Sequence, residues 1–195
     1  MNALSAINNF MNAKISRISN DQNANVILAQ LRRGLGKAPG EDPRLWDITL
    51  NGLSEDWFSN TGQPTHVEWA VYLALTLYAY HQQSKDIKKN NMHIDNVSLG
   101  VAVARLAEKP EDLDRVKRYL DRLVTSASVQ EMQIHLRSVI SLLRGKDIGL
   151  SYLQLSKDIY LFMDSHSRNN VQLKWAQDFY RGINNYEDKK QEESK

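Results

Sequence analysis

Three separate matches to a helix-opening box, each placed where apolar residues begin to recur at helical spacing, constrain this chain more than any other feature. Thr65-His66-Val67-Glu68, Ser128-Val129-Gln130-Glu131 and Ser151-Tyr152-Leu153-Gln154 each set a hydroxyl three residues before a Glu or Gln. That arrangement lets two backbone N–H groups at a helix start be satisfied reciprocally. Pro110 opens a fourth run, at a helical position where its missing N–H costs nothing. Behind these starts the apolar residues fall at i, i+3, i+4 spacing, as in Leu113, Val116, Leu120, Leu123 and in Met132, Leu136, Val139, Leu143. Sustained period-two alternation is missing, so the sequence predicts almost no sheet. The expected fold is all-α, a compact bundle of about eight or nine helices or two small helical subdomains. The helices are expected near 3–19, 22–35, 43–51, 64–83, 96–108, 110–126, 128–144, 151–164 and 168–182.

A chain of 195 residues is long enough to bury a core without disulfide or metal staples. It has no cysteine, which removes thiolate chemistry and every zinc-ribbon arrangement, and which suits a reducing cytoplasm. The first residues lack the basic and apolar regions of a secretory leader, so no export is expected. The most apolar run, Trp69 to Tyr80, is free of charge but spans only 12 residues; a bilayer helix needs about 20, and the run reads as a buried core helix. Gly36 to Gln63 gathers Gly36, Pro39, Gly40, Pro43, Gly52 and Gly62 and is the expected functional loop or hinge. Asp86 to Asn91 reads as a shorter polar connection. Residues 1–185 form the expected domain, followed by a charged, frayed tail over 186–195.

The net charge of +2 is far from the strongly basic balance of a free-standing nucleic-acid binder, but it is unevenly spread. Residues 1–40 carry five basic side chains against one acidic, and residues 41–70 one against six. Any anion-binding surface must therefore be a local stripe. Two helical stripes qualify. Arg115, Arg118 and Arg122 fall within about 60° of one another on a helix, opposite Leu113, Val116, Leu120 and Leu123. Arg137 and Arg144 stand one heptad apart, with Gln130, Gln133 and Ser141 along the same line. Arginine suits phosphate because its planar guanidinium offers a fork of donors and keeps its charge, so a row of them tracks a backbone without reading bases. The competing reading is an ordinary solvated face: Glu111 with Arg115 and Asp114 with Arg118 have the i, i+4 spacing of helix-stabilising pairs. The second row has almost no acid near it in sequence.

Arg32, Arg33 and Lys37 form another basic cluster at a helix end, where cations equally complement the helix dipole. Trp46, Trp57 and Phe58, which follow it, offer either stacking surface for a base or a partner, or core beneath a loop. Signals for catalysis are weak. Glu131 with His135 is the only carboxylate–histidine pair at helical spacing, and two ligands do not make a metal site. Phosphate-binding glycine loops, nucleophile elbows and a nuclease-like cluster of carboxylates are missing. No catalytic residue, metal or cofactor is assigned.

At Leu31-Arg32-Arg33-Gly34, Pro43-Arg44-Leu45-Trp46 and Trp175-Ala176-Gln177-Asp178-Phe179-Tyr180, the chain resembles the CasB family, the small subunit of the type I-E CRISPR surveillance complex called Cascade. The likeness extends through Ala79-Tyr80-His81-Gln82, Gly100 to Leu106, the Arg115 to Leu123 and Leu136 to Arg144 segments, and Tyr152 to Tyr160. The resemblance implies an all-helical, non-catalytic cytoplasmic protein, present in two copies beside the backbone and large subunits of a ribonucleoprotein that carries a CRISPR RNA. It implies no membrane partner. It also implies contact with the target strand and with the displaced non-target strand through basic surfaces, which stabilises an open R-loop. The residues that the resemblance offers for this contact are Arg32, Arg33, Lys37, Arg44, Arg105, Arg115, Arg118, Arg122, Arg137 and Arg144.

Overall fold

The computed structural model describes the backbone of residues 2–193 and the side chains of residues 2–184; the side chains of the expected 186–195 tail lie outside the described residues. Nine α-helices are described: α1 (Ala3–Asn20), α2 (Ala24–Arg32), α3 (Trp46–Thr49), α4 (His66–His81), α5 (Leu99–Ala104), α6 (Leu113–Val124), α7 (Val129–Gly145), α8 (Tyr152–Met163) and α9 (Arg168–Glu193). Short 3-10 turns precede α3 and α6 at Pro43–Leu45 and Pro110–Asp112, each with its proline in the first turn, where no N–H is needed. Among the described residues the one β-type pairing is an isolated bridge between His93 and Leu150.

The helix starts form as their sequences dictate, with differences in the partner. Thr65 makes the complete box: its hydroxyl accepts from the Glu68 N–H, and Glu68 accepts from the Thr65 N–H. Ser128 accepts from the Glu131 N–H, but the Glu131 carboxylate takes the Ala127 N–H, one residue further back. Ser151 accepts from the Gln154 N–H, while the Gln154 amide turns forward to Asp158. Asn2 and Ser98 cap α1 and α5 in the same way. Ser98 also explains why α5 is shorter than the expected 96–108: its hydroxyl fixes the start, and the chain turns out of the helix at Arg105.

Helix α4 is apolar all round, and a helix without a polar face must be enclosed. Every side chain from Val67 to Ala79 is buried. α1, α2, α3, α7 and α8 pack around it, and α9 lies along α5, α8 and α6. Buried side chains from all of these helices except α3 form one continuous apolar cluster. The Tyr72 hydroxyl donates to the Gly34 carbonyl at 3.0 Å, and Tyr152 meets His81 Nδ1 at 2.9 Å, whereas His81 Nε2 and the Gln133 amide nitrogen are buried without a hydrogen-bond partner among the described residues.

The packing of α5 on α9 depends on Gly100. A Cβ there would stand 2.3 Å from the Trp175 carbonyl oxygen and 2.9 Å from the Phe179 nitrogen, both backbone atoms of α9 that cannot move aside. Gly100→Ala should therefore separate α5 from α9 and cost about 1–3 kcal/mol, despite alanine's better helix propensity. A urea titration checks this, and an unchanged midpoint would refute it.

Candidate nucleic-acid interface

The last carbonyls of a helix have no partner within it, and at the end of α4 two arginines supply one. Arg32 Nη1 of α2 donates to the Ala79 carbonyl at 3.3 Å. Arg144 Nη1 of α7 donates to the Tyr80 carbonyl at 3.4 Å and to Gln83 Oε1 at 2.8 Å. Both are half-buried. The Tyr80 side chain collects a third cation: its ring centroid is 4.3 Å from the Arg144 guanidinium carbon and 5.7 Å from that of Arg137, within the range of cation–π attraction. Its hydroxyl donates to Ser141 Oγ at 3.2 Å. That bond, and the charges of Arg144 and Arg137, hold the phenol below its ordinary pKa, while burial and then the Arg144 charge lower that of Arg32. Beside them His81 is fully buried and pushed down to about 3, by burial first and then by Lys85 and Arg144, so it adds no charge at neutral pH.

Two guanidiniums of α7 thus converge on one aromatic ring, and a third, from α2, bonds the carbonyl of the residue before Tyr80. Of the sequence-predicted row on α7, Gln130, Gln133, Arg137 and Ser141 line one groove with Tyr80 and Tyr119, and Arg144 lies outside that lining. Arg137 is exposed and makes no ion pair among the described residues. Among the described residues Arg144 has no acidic partner, as its sequence neighbours suggest, but it has structural ones in the Tyr80 carbonyl and Gln83.

The remaining candidates divide. Lys37 and Arg44 both converge on the buried Asp42: Arg44 Nε and Nη2 donate to its two oxygens at 2.8 and 2.7 Å, and Lys37 Nζ donates at 3.2 Å. Arg44 first, and Lys37 with it, hold the Asp42 carboxyl well below the usual carboxylate range. These two cations tie together residues 37 to 44 at the start of the Gly36 to Gln63 segment. In that segment Trp57 and Phe58 pack against the core, whereas Trp46 is half-exposed with Nε1 donating to the Gly40 carbonyl at 3.0 Å. On α6, Arg115 pairs at 2.8 Å with Asp112, three residues back, and not with Glu111 as the i, i+4 spacing suggests. Arg118 forms no ion pair with Asp114 among the described residues. Arg33, Arg105, Arg118 and Arg122 are exposed, and none of them lines the Tyr80 groove.

Among the described residues no group of three or more His, Asp or Glu is placed to hold a metal ion; Glu131 and His135 make a single pair at 3.6 Å. No helix there is long and apolar enough to cross a membrane. The residue that sequence reasoning missed is Tyr80, which reads as the end of a core helix. Its only signal is its place as the last ring of that apolar run, ahead of His81-Gln82-Gln83.

Residues 27–180 match the sequence profile of the family described as CRISPR-associated protein Cse2. Among solved structures, the chain is similar to CasB from Thermobifida fusca, with a TM-score of 0.73 and 28% identity over 89% of this chain and 97% of that one. It shares its fold with CasB from Thermus thermophilus, with a TM-score of 0.64 and 20% identity over 92% and 99%. No curated protein matches it.

Proposed function

The chain belongs to the CRISPR-associated Cse2 family, and from that premise we propose that it is a non-catalytic small subunit of a type I-E, RNA-guided surveillance complex. Its arginine-bearing helices hold DNA strands by their backbones while base pairing to the CRISPR RNA reads the sequence. Forming an R-loop exchanges one duplex for another of similar stability, so a modest number of backbone contacts tips the balance. The observation that best supports a role in strand contact is the α7 row, where the exposed Arg137 has no carboxylate partner among the described residues and stands beside the Tyr80 and Arg144 stack. The guanidiniums of Arg32 and Arg144 also bond the last carbonyls of α4, and that favours a second reading: a helical adaptor that joins other subunits and leaves DNA to them.

Affinity-tagged protein expressed in a host carrying the full system should bring down a CRISPR RNA, four other subunit types and a second copy of this chain. Recovery of the chain alone, from cells in which such a complex is intact, would overturn both readings.

A further inference from the structure

The groove between α6 and α7 holds more than backbone contact requires. It has a volume of about 580 Å³, within the range of about 300–1,000 Å³ typical of small-molecule sites. Gln133 lines it at 5% exposure, and its amide nitrogen is buried with no hydrogen-bond partner. Buried amides are almost always paired, and an unpaired one beside a cleft marks a place where a ligand completes the bonding. Next to it stands Tyr119, half-buried, its hydroxyl facing the Arg115 guanidinium and its ring without a stacking partner among the described residues. Ile134, at 64% the most exposed large apolar side chain described, forms the rim. One turn further along α7 is Arg137.

An occupant that satisfies all of these has a flat apolar face, a hydrogen-bonding edge and an anion a few ångströms away. We propose that the groove seats one unpaired nucleotide, with its base against Tyr119 and the Gln133 amide and its phosphate on Arg137. A glutamine amide offers a donor at one end and an acceptor at the other, and a half-turn of its last torsion exchanges them. Every natural base has an edge that one of the two can meet, so the seat accepts any base while rejecting a duplex, whose bases are stacked and paired. This deepens the strand-contact reading above and rests on it: the protein would grip a strand only where it is single.

The test measures binding of the purified full-length chain, at low ionic strength, to a fluorescent 20-nucleotide single strand and to the same strand made of abasic sites, which keeps every phosphate and removes every base. The intact strand should bind at least about fivefold more tightly, the factor that about 1 kcal/mol of base stacking gives. Gln133→Leu, which removes the unpaired amide and should melt no lower than the parent, should shrink that ratio; Tyr119→Ala should do so independently. Equal binding of both strands, with both weakened by Arg137→Ala, would overturn the nucleotide seat and leave backbone contact standing. Binding to neither strand, or binding indifferent to Arg137→Ala, would overturn both.

Discussion

Replacing Arg137 and Arg144 together by alanine should weaken target-DNA binding by the assembled complex about tenfold or more at moderate salt. The logarithmic salt slope should become shallower by about two, since each neutralised phosphate contributes about one counterion. The two positions are not equivalent. Arg137 is exposed and touches the protein through the Tyr80 ring, so Arg137→Ala should lower affinity with the melting temperature unchanged. Arg144 also donates to the Tyr80 carbonyl and to Gln83, so Arg144→Ala should lower affinity and cost about 1 kcal/mol of stability. Arg144→Lys keeps the charge but not the planar fork stacked on the ring, and should restore only part of each. Arg44→Ala makes the contrast, because its guanidinium is already committed to Asp42 and little affinity should be lost. Electrophoretic shift titrations at several salt concentrations read all of these. Unchanged DNA binding in an intact complex carrying the double variant would leave the row a purely structural role and favour the adaptor.

The helices were legible because their determinants are local. A hydroxyl at Thr65, Ser128 or Ser151 finds a backbone N–H three residues on, and an amphipathic period needs no knowledge of what covers it. The short α5 was less so, because Gly100 acts only through a distant neighbour: the glycine permits a contact with α9, 75 residues away in sequence. The candidate site divides along the same line. The α7 row is a property of one helix and could be read from spacing. The commitment of Lys37 and Arg44 to Asp42 depends on a loop folding back on a carboxylate, and the pairing of Arg115 with Asp112 depends on the 3-10 turn that Pro110 opens. The placement of Arg32 and Arg144 at the end of α4 joins residues 47 and 64 positions away from their acceptors. No periodicity carries that information. A half-exposed tyrosine closing an otherwise buried helix is the trace it leaves.

Trp175→Ala should be the most destabilising single change in the core, at about 4–6 kcal/mol, or a fall of about 10–20 °C in melting temperature for a chain of this size. Trp175 is completely buried and stacks on Phe162 of α8, with ring centroids 5.7 Å apart and planes 17° apart. Truncation leaves a large cavity where α9, α8 and α5 meet, and it removes the Nε1 donor that meets Asp158 Oδ2 at 2.8 Å. Asp158 is itself buried and takes three further bonds, from Gln154 Nε2 and twice from Lys174 Nζ. The carboxylate therefore keeps partners after the indole has gone, so the loss should follow the cavity more than the charge. Trp175→Phe tests that division: it restores most of the volume without the N–H and should recover more than half of the lost stability. If Phe proved as damaging as Ala, the hydrogen bond to Asp158 would be the dominant link between α8 and α9, and Asp158→Asn should then be equally severe.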